Sequence, residues 1–128
     1  MKKGIVAFLV SISLGACNPK TEAELEATAP TVLTTDERIE PLYRRVSVLS
    51  RDCKDAADFL GSYQTDAEFF EKEGLAEITY RGRGWYGSAP ISKIVIRDLG
   101  NTREVRIFDA VADTPRITEW VLGKNTCR

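Results

Sequence analysis

Hydrophobic positions between residues 39 and 60 repeat with the period of an α-helix. Apolar side chains recur at alternating steps of four and three residues, at Leu42, Val46, Leu49, Cys53, Ala56 and Leu60. This spacing places them on one stripe of a helix. Pro41 suits the first turn, and Gly61 suits the position just past the end. We therefore predict one long helix over this stretch, with the core along its apolar stripe.

A second, shorter helix is predicted at residues 65–74. The sequence TDAE at residues 65–68 is a capping box, in which Thr65 caps a backbone N–H and Glu68 reaches back. Gly74 suits the end of this helix, and two phenylalanines supply its apolar surface. We expect the helix to close one edge of the core.

From residue 75 onward the apolar period changes to two, which is the period of strands. Residues 91–109 predict a β-hairpin, because Gly100-Asn101 suits a two-residue type II′ turn with glycine first. This turn sets the register of the two strands, since a slip by one residue would expose the aliphatic side chains. The expected cross-strand pairs are Ile96 with Val105, Ile94 with Ile107, and Arg97 with Glu104.

The predicted fold class is α+β, with a long N-terminal helix and a short helix packed on a four-stranded antiparallel β-meander. The last strand is predicted at residues 116–122, after a break at Asp113-Thr114-Pro115, and apolar residues occur on both of its faces. In outline this arrangement is similar to cystatin-like and other small inhibitor or adaptor folds. A likeness of fold alone does not give function.

The first seventeen residues show the basic, apolar and small-residue order of a secretory signal. Two lysines precede an apolar run at residues 5–12, which is far shorter than the ~20 residues that a membrane-spanning helix needs. The run is followed by Leu14-Gly15-Ala16-Cys17, which resembles the lipobox of bacterial lipoproteins. The alternative interpretation is a buried N-terminal strand or helix.

The resemblance to bacterial lipoproteins implies an anchor and a location. In that class Cys17 would receive a diacylglyceryl group on its sulfur, the signal would be cut before it, and the new amine would be acylated. Two or more acyl chains hold a protein stably on a membrane. Asn18 follows where the class often has an Asp for inner-membrane retention. The expected location is the bacterial cell envelope, at the inner leaflet of the outer membrane facing the periplasm.

Three parts of the chain follow from these patterns: a signal peptide at residues 1–16, a lipidated flexible tether at 17–35, and a single α+β periplasmic domain at 36–128. The tether contains Thr, Ala, Glu, Pro and Lys and lacks aromatic residues. At about 5–6 Å × √n, roughly 18 flexible residues reach about 25 Å. We therefore expect the domain to stand clear of the lipid headgroups.

Charge and cysteine content narrow the classes of ligand. Without Lys2 and Lys3, the 18 basic residues of the chain become 16 against 19 acidic ones, a net charge of −3, which does not favour nucleic acid. With Cys17 assigned to lipid, Cys53 and Cys127 remain for one disulfide, and two free thiols are the alternative. A metal site is not expected, because two distant cysteines and no histidine leave too few ligands. No cofactor is expected.

The stretch from Tyr80 to Gly87 joins two predicted strands and combines three glycines with arginines and large aromatic residues. Arginine, tryptophan and tyrosine are enriched in the hot spots of protein interfaces. One alternative is a glycine-kinked strand whose aromatic side chains fold back onto the core, and another is a sugar or peptidoglycan contact. The partner-binding candidates are Arg81, Arg83, Trp85 and Tyr86.

Catalytic groups are scarce, and we do not expect an enzyme. No serine has a G-x-S-x-G context, and the helical spacing of Asp55 and Asp58 suits a charged solvated face. Our first hypothesis is a membrane-anchored lipoprotein that binds one periplasmic or envelope protein. A concrete form is an immunity or exclusion lipoprotein, which neutralises a toxin or blocks a conjugation or secretion apparatus. The alternatives are an accessory part of an envelope assembly or secretion machine, and a cell-wall-acting enzyme.

Overall fold

In the part of the chain that the structure describes, six antiparallel strands form one sheet with helices on both of its faces. The structure, a computed structural model, describes residues 21–58, 61–85 and 87–128. The strand order across the sheet is β1-β6-β5-β4-β3-β2. In chain order the elements are α1 (Glu22–Glu26), β1 (Thr31–Thr35), α2 (Ile39–Lys54), β2 (Ala56–Asp58), β3 (Gly61–Phe70), a 3-10 turn (Glu71–Glu73), β4 (Leu75–Gly84), β5 (Gly87–Asp98), β6 (Arg103–Asp109) and α3 (Thr114–Val121).

The predicted fold class, with a long N-terminal helix and a short helix on a four-stranded meander, is wrong. The long helix exists as α2, but it ends at Lys54, and the sheet has six strands. Asp55 leaves the helix with extended backbone angles, and its carboxylate accepts a hydrogen bond of 2.6 Å from Thr65. Ala56 then pairs with Tyr63 in the β2–β3 ladder. The apolar stripe therefore continues past Lys54 in the sequence although the helix does not.

The short helix predicted at residues 65–74 is also wrong, because most of these residues lie in β3. This strand pairs with β4 over its full length of ten residues. Thr65, the expected capping residue, is buried in the sheet, and its hydroxyl lies 2.8 Å from that of Ser50 in α2. A helix cap contributes only about 1 kcal/mol. The cross-strand pairing and burial along β3 outweigh that local preference.

The last predicted strand, residues 116–122, is instead part of α3. Pro115 lies in the first turn of this helix, where a missing N–H removes no intrahelical hydrogen bond. The Arg45 side chain of α2 donates hydrogen bonds of 2.9 and 3.1 Å to the last carbonyls of α3 and so satisfies its C-terminal end. The apolar residues that fitted no single strand face share one buried helical face: Ile117, Trp120 and Val121.

The predicted hairpin at residues 91–109 is confirmed, with its register. Across β5 and β6 the pairs are Ile96 with Val105, Ile94 with Ile107, and Arg97 with Glu104. The Leu99 N–H donates to the Thr102 carbonyl at 2.9 Å across the turn. Gly100 has a φ of 101°, which glycine adopts without steric strain. The turn residue and the apolar alternation therefore indicate the same pairing.

The sheet is packed on both faces. Helices α2 and α3 cover the inner face, and helix α1 covers part of the outer face. On the outer face, Leu25 of α1 is fully buried against Val95 and Phe108. The main core, on the inner face, consists of Leu42, Val46, Leu49, Ala76, Ile78, Ile94, Ile96, Val105, Ile107, Ile117, Trp120 and Val121.

Residues 21–35, which we expected to belong to a flexible tether, are folded. Helix α1 begins with a capping box, in which Thr21 and Glu24 exchange two hydrogen bonds. Strand β1 then pairs with β6 over five residues. Its threonine-rich sequence suits an edge strand with one exposed face, so it gave little hydrophobic pattern. The ordered domain thus includes the residues from Thr21 to 35.

Cys53 and Cys127 form the predicted disulfide. Their Cα atoms are 5.4 Å apart, and 74 positions separate them in the chain. The bond joins the last turn of α2 to the C-terminal segment that follows α3. This segment is also held where the Trp120 indole N–H donates to the Thr126 carbonyl at 3.0 Å. The disulfide thus connects the two helices of the inner face.

Candidate functional site

The stretch that stood out in the sequence forms the end of the β4–β5 hairpin. Strand β4 ends at Gly84 and β5 begins at Gly87, and these two glycines face each other in the ladder. On the neighbouring strand, a Cβ atom at Gly61 would lie 2.2 Å from the Arg83 carbonyl oxygen. Glycine therefore permits the close approach of β3 to β4 here. We call Arg83, Gly84, Trp85 and Gly87 the hairpin tip.

Trp85 is the most exposed large apolar side chain of the described residues. It is 89 % exposed, whereas Trp120 in the core is 0 % exposed. The alternative in which Trp85 folds back onto the core is therefore wrong. Arg83, two residues earlier, is also exposed. Tyr86 lies outside the described residues.

Arg81, the remaining candidate, is not part of the hairpin tip. Its guanidinium donates to Glu22 of α1 and to Asp66 of β3, each at 2.8 Å. The hydrogen bond to Glu22 is the largest influence on Arg81 and raises its pKa. The candidate set thus divides: Arg83 and Trp85 lie at the tip, and Arg81 holds α1 on the sheet.

A buried lysine completes this attachment of α1. The Lys93 ammonium lies 3.1 Å from Glu22 and 2.9 Å from Glu26. Burial works to lower the pKa of Lys93, but the hydrogen bonds to Glu26 and Glu22 outweigh it and raise the pKa. Hydrogen bonds from Arg81 and Lys93 in turn lower the pKa of Glu22. We call Glu22, Glu26, Arg81 and Lys93 the α1 clamp.

A second buried lysine, Lys54, was not predicted from the sequence, and its side chain is 5 % exposed. Its ammonium lies 3.1 Å from Asp113 and 4.2 Å from the ring centre of Tyr80. Burial is the largest effect on Lys54 and lowers its pKa, and Asp113 offsets this only in part. Burial works to raise the pKa of Asp113, but hydrogen bonds from Arg116 and Lys54 bring it below its usual value. The sequence shows only a lysine beside the apolar stripe.

Lys54 also contacts a serine, an arrangement that can activate a nucleophile. The Lys54 ammonium donates to the Ser92 hydroxyl at 3.4 Å. Ser92 is only 2 % exposed, and the same ammonium is paired with Asp113. None of the surface grooves described below is lined by either residue. The cluster therefore holds the end of α2 against the sheet.

Shallow grooves lie elsewhere on the surface. One of about 460 Å³ runs between the first half of α2 and Asn125. A second of about 460 Å³ follows β3 and reaches Glu22 and Arg51. A third of about 410 Å³ lies on the outer face beside Glu26 and Leu99. The described residues of the hairpin tip line none of these three grooves.

Within residues 21–58, 61–85 and 87–128, no cluster of three or more histidine, cysteine or acidic side chains is placed to hold a metal ion. In the same residues, no helix combines the length and the apolar character needed to cross a membrane. Cys17 lies before the first described residue. Its lipidation stays a prediction.

Comparison with known proteins adds no relative. No protein-family model, no curated protein and no solved structure matches this chain.

Proposed function

We propose that the protein is a membrane-anchored lipoprotein of the bacterial cell envelope whose folded domain binds one other envelope protein. The observation that carries this proposal is the hairpin tip, where Trp85 is 89 % exposed and Arg83 is exposed beside it. Tryptophan and arginine are the side chains most enriched in interface hot spots.

The scaffold supports binding because it holds the hairpin tip in place before any partner arrives. Strands β4 and β5 stay paired as far as Gly84 and Gly87, and β3 pairs with β4 as far as Gly61. A side chain on a rigid element loses less conformational entropy on binding than one on a loose loop. Three adjacent strands thus support the turn that carries Trp85.

The anchor is supported by the sequence before the folded domain. Leu14-Gly15-Ala16-Cys17 resembles a lipobox, and the basic and apolar segments before it have the order of a secretory signal. The Cys53–Cys127 disulfide suits an oxidising compartment such as the periplasm. A concrete form of this function is an immunity or exclusion lipoprotein, whose domain meets a toxin or a conjugation component at the membrane.

Loss of Trp85 tests the binding surface. Full-length protein would be used to capture its envelope partner, and the affinity of that partner would be measured for wild type and for Trp85→Ala. We expect the substitution to weaken binding by about 2 kcal/mol, roughly thirtyfold, as for an interface hot spot. Arg83→Ala should weaken it in the same direction.

Leu99→Ala is the matched control, because Leu99 is an exposed apolar residue beside the β5–β6 turn. Its affinity for the partner should equal that of wild type. Equal affinities for wild type and Trp85→Ala, with both proteins folded, would show that the hairpin tip is not the binding surface.

Cys17→Ser tests the anchor separately. Because the thiol is the expected site of lipid attachment, the variant should lose metabolic labelling with a fatty acid and accumulate as an unprocessed precursor. Cys53→Ser serves as the control, since Cys53 is bonded to Cys127 and should not affect labelling. Labelling that persists in Cys17→Ser would refute the lipoprotein assignment.

A further inference from the structure

The first described turn of the chain is fixed to the sheet. Leu25 of α1 is fully buried, and the α1 clamp joins Glu22 and Glu26 to the sheet through ion pairs of 2.8 to 3.1 Å. Each of the two basic side chains of the clamp also pairs with a carboxylate on a strand. Helix α1 therefore moves with the sheet as one unit.

The segment between the predicted anchor and this fixed helix is short. Only residues 18–20 separate Cys17 from the helix-capping Thr21. A chain extends by at most about 3.3–3.6 Å per residue, so the Cα of Cys17 lies within about 14 Å of that of Thr21. By the same measure, a flexible tether of roughly 18 residues would have allowed about 60 Å. A lipid on Cys17 would therefore keep the domain close to the headgroups.

The position of α1 sets which face of the domain lies nearer to that membrane. Val95 packs under α1 on the outer face, whereas its neighbours Ile94 and Ile96 belong to the inner-face core under α2 and α3. Successive side chains of a strand point to opposite faces. With a lipid on Cys17, the outer face of the sheet would be the anchored face, and α2 and α3 would be turned away from the bilayer.

The hairpin tip lies near the point where the chain enters the domain. Glu22 is bound to Arg81, which precedes Trp85 by four positions on the same hairpin. At about 3.4 Å per residue, this corresponds to roughly 14 Å along β4. A chain of the length between Thr21 and Cys17 would allow the lipid attachment to reach the level of the tip.

From this geometry, and resting on the proposed lipid anchor, we infer that the hairpin tip is held at the membrane surface and meets a protein of that same membrane there. The partner offers an apolar recess for Trp85 and an acidic group for the exposed Arg83. Tryptophan suits this zone, since its ring is amphipathic and is favoured at membrane interfaces. A partner that diffuses freely in the periplasm could bind the tip at any distance from the membrane.

The position of Trp85 can be measured before the partner is known. Full-length lipidated protein would be reconstituted into vesicles that carry a nitroxide either on the lipid headgroup or deep in the acyl chain. In Trp85→Phe, Trp120 is the only tryptophan, and it is buried in the core. The difference in emission between wild type and this variant therefore gives the emission of Trp85. We expect that emission to be quenched by the headgroup nitroxide and unaffected by the acyl-chain nitroxide.

Two results would overturn this inference while leaving the anchor intact. Trp85 emission that neither nitroxide quenches, in protein retained on the vesicles, would show that the tip points away from the bilayer. Quenching by the acyl-chain nitroxide would show that the tip inserts into the lipid itself and is not free for a protein. Protein that carries no lipid and does not remain on the vesicles would refute the anchor, and this inference with it.

A variant with a longer tether tests the partner class. A glycine- and serine-rich insertion between Lys20 and Thr21 leaves the described domain unchanged but lets it move away from the membrane. A photo-crosslinking residue in place of Arg83 should form a product with an integral membrane protein, and the insertion should reduce the yield of that product. An unchanged yield, or a product with a soluble periplasmic protein, would contradict a partner in the same membrane.

Discussion

Trp85 and Trp120 occupy opposite environments, and this difference gives a direct test of the hairpin tip at the scale of single residues. Trp85→Ala should leave the free energy of unfolding nearly unchanged, because the side chain is almost fully exposed. Trp120→Ala should lower it by roughly 3–5 kcal/mol, through the cavity that it leaves in the core. Urea unfolding of both variants measures the contrast. A large loss of stability in Trp85→Ala would mean that the ring packs on the domain after all.

Lys54 and Asp113 provide a second test at this scale. Asp113→Asn should destabilise the fold by about 3 kcal/mol, because it leaves the buried Lys54 charge without its carboxylate. Lys54→Met should cost less, since methionine fills similar space without a charge and Asp113 keeps its ion pair with Arg116. Urea titrations of the two variants give their free energies of unfolding and show which substitution destabilises the fold more. The reverse order would show that the lysine charge is not effectively buried.

The candidate site could be predicted in part from its residue types. The mixture of arginine and tryptophan indicated Arg83 and Trp85, and both are exposed at a strand connection as expected. The same composition could not separate Arg81 from them. Its partners Glu22 and Asp66 are 59 and 15 positions away, so only the tertiary structure brings them together.

At the scale of elements, the attachment of α1 should depend on pH. Hydrogen bonds from Arg81 and Lys93 lower the pKa of Glu22 from its usual value of 4.5. The stability that Glu22 contributes is therefore complete above pH 4.5 and is lost as the pH falls through its lower folded-state pKa. Hydrogen exchange of the α1 amides should accelerate over that acidic range.

Glu22→Gln should weaken this acid dependence of the α1 amides, because glutamine does not titrate. Glu71→Gln, in the exposed 3-10 turn after β3, removes a carboxylate elsewhere and should leave the dependence as in wild type. If exchange in wild type and Glu22→Gln responded to acid in the same way, Glu22 would not be the group responsible.

The elements that the sequence predicted correctly are those in which local and long-range preferences agree. In the β5–β6 hairpin, the glycine at the turn and the alternation of aliphatic residues indicate the same register. In residues 65–74 they disagree, because a capping box favours a helix while the pairing with β4 favours a strand. Strand β1 gave little hydrophobic pattern, since its stability depends on the edge of β6, which is about seventy positions away.

At the scale of the whole molecule, residues 21–35 are a structural part of the domain. A protein that begins at Asp36 lacks α1 and β1, and it exposes the edge of β6 together with Val95 and Phe108. Exposed strand edges and apolar patches promote aggregation. We expect this protein to be insoluble or unstable, as judged by gel filtration and thermal unfolding.

A protein that begins at Thr21 is the control for that truncation, because it keeps α1, β1 and the α1 clamp. It should remain monodisperse and unfold at the temperature of the longer chain. Equal behaviour of the two truncated proteins would support a tether that ends at residue 35.

The disulfide acts on the whole fold as well. Replacing both Cys53 and Cys127 with serine opens a loop of 74 positions. The chain-entropy model assigns such a loop about 4 kcal/mol. Urea unfolding of the double variant should show a loss of this size. A loss of stability well below about 4 kcal/mol would indicate that the unfolded chain remains conformationally restricted without the disulfide.

The disulfide divides the chain into a covalently closed ring and an N-terminal tail. The ring runs from Cys53 to Cys127 and contains β2 to β6 and α3, whereas α1, β1 and nearly all of α2 belong to the tail. Of the six strands, only β1 can leave the sheet without the ring deforming. When α1 and β1 of one molecule detach from its sheet, the edge of β6 becomes available to the β1 strand of a neighbouring molecule. Strand exchange between two copies would therefore take place through their tails, while each ring stays closed.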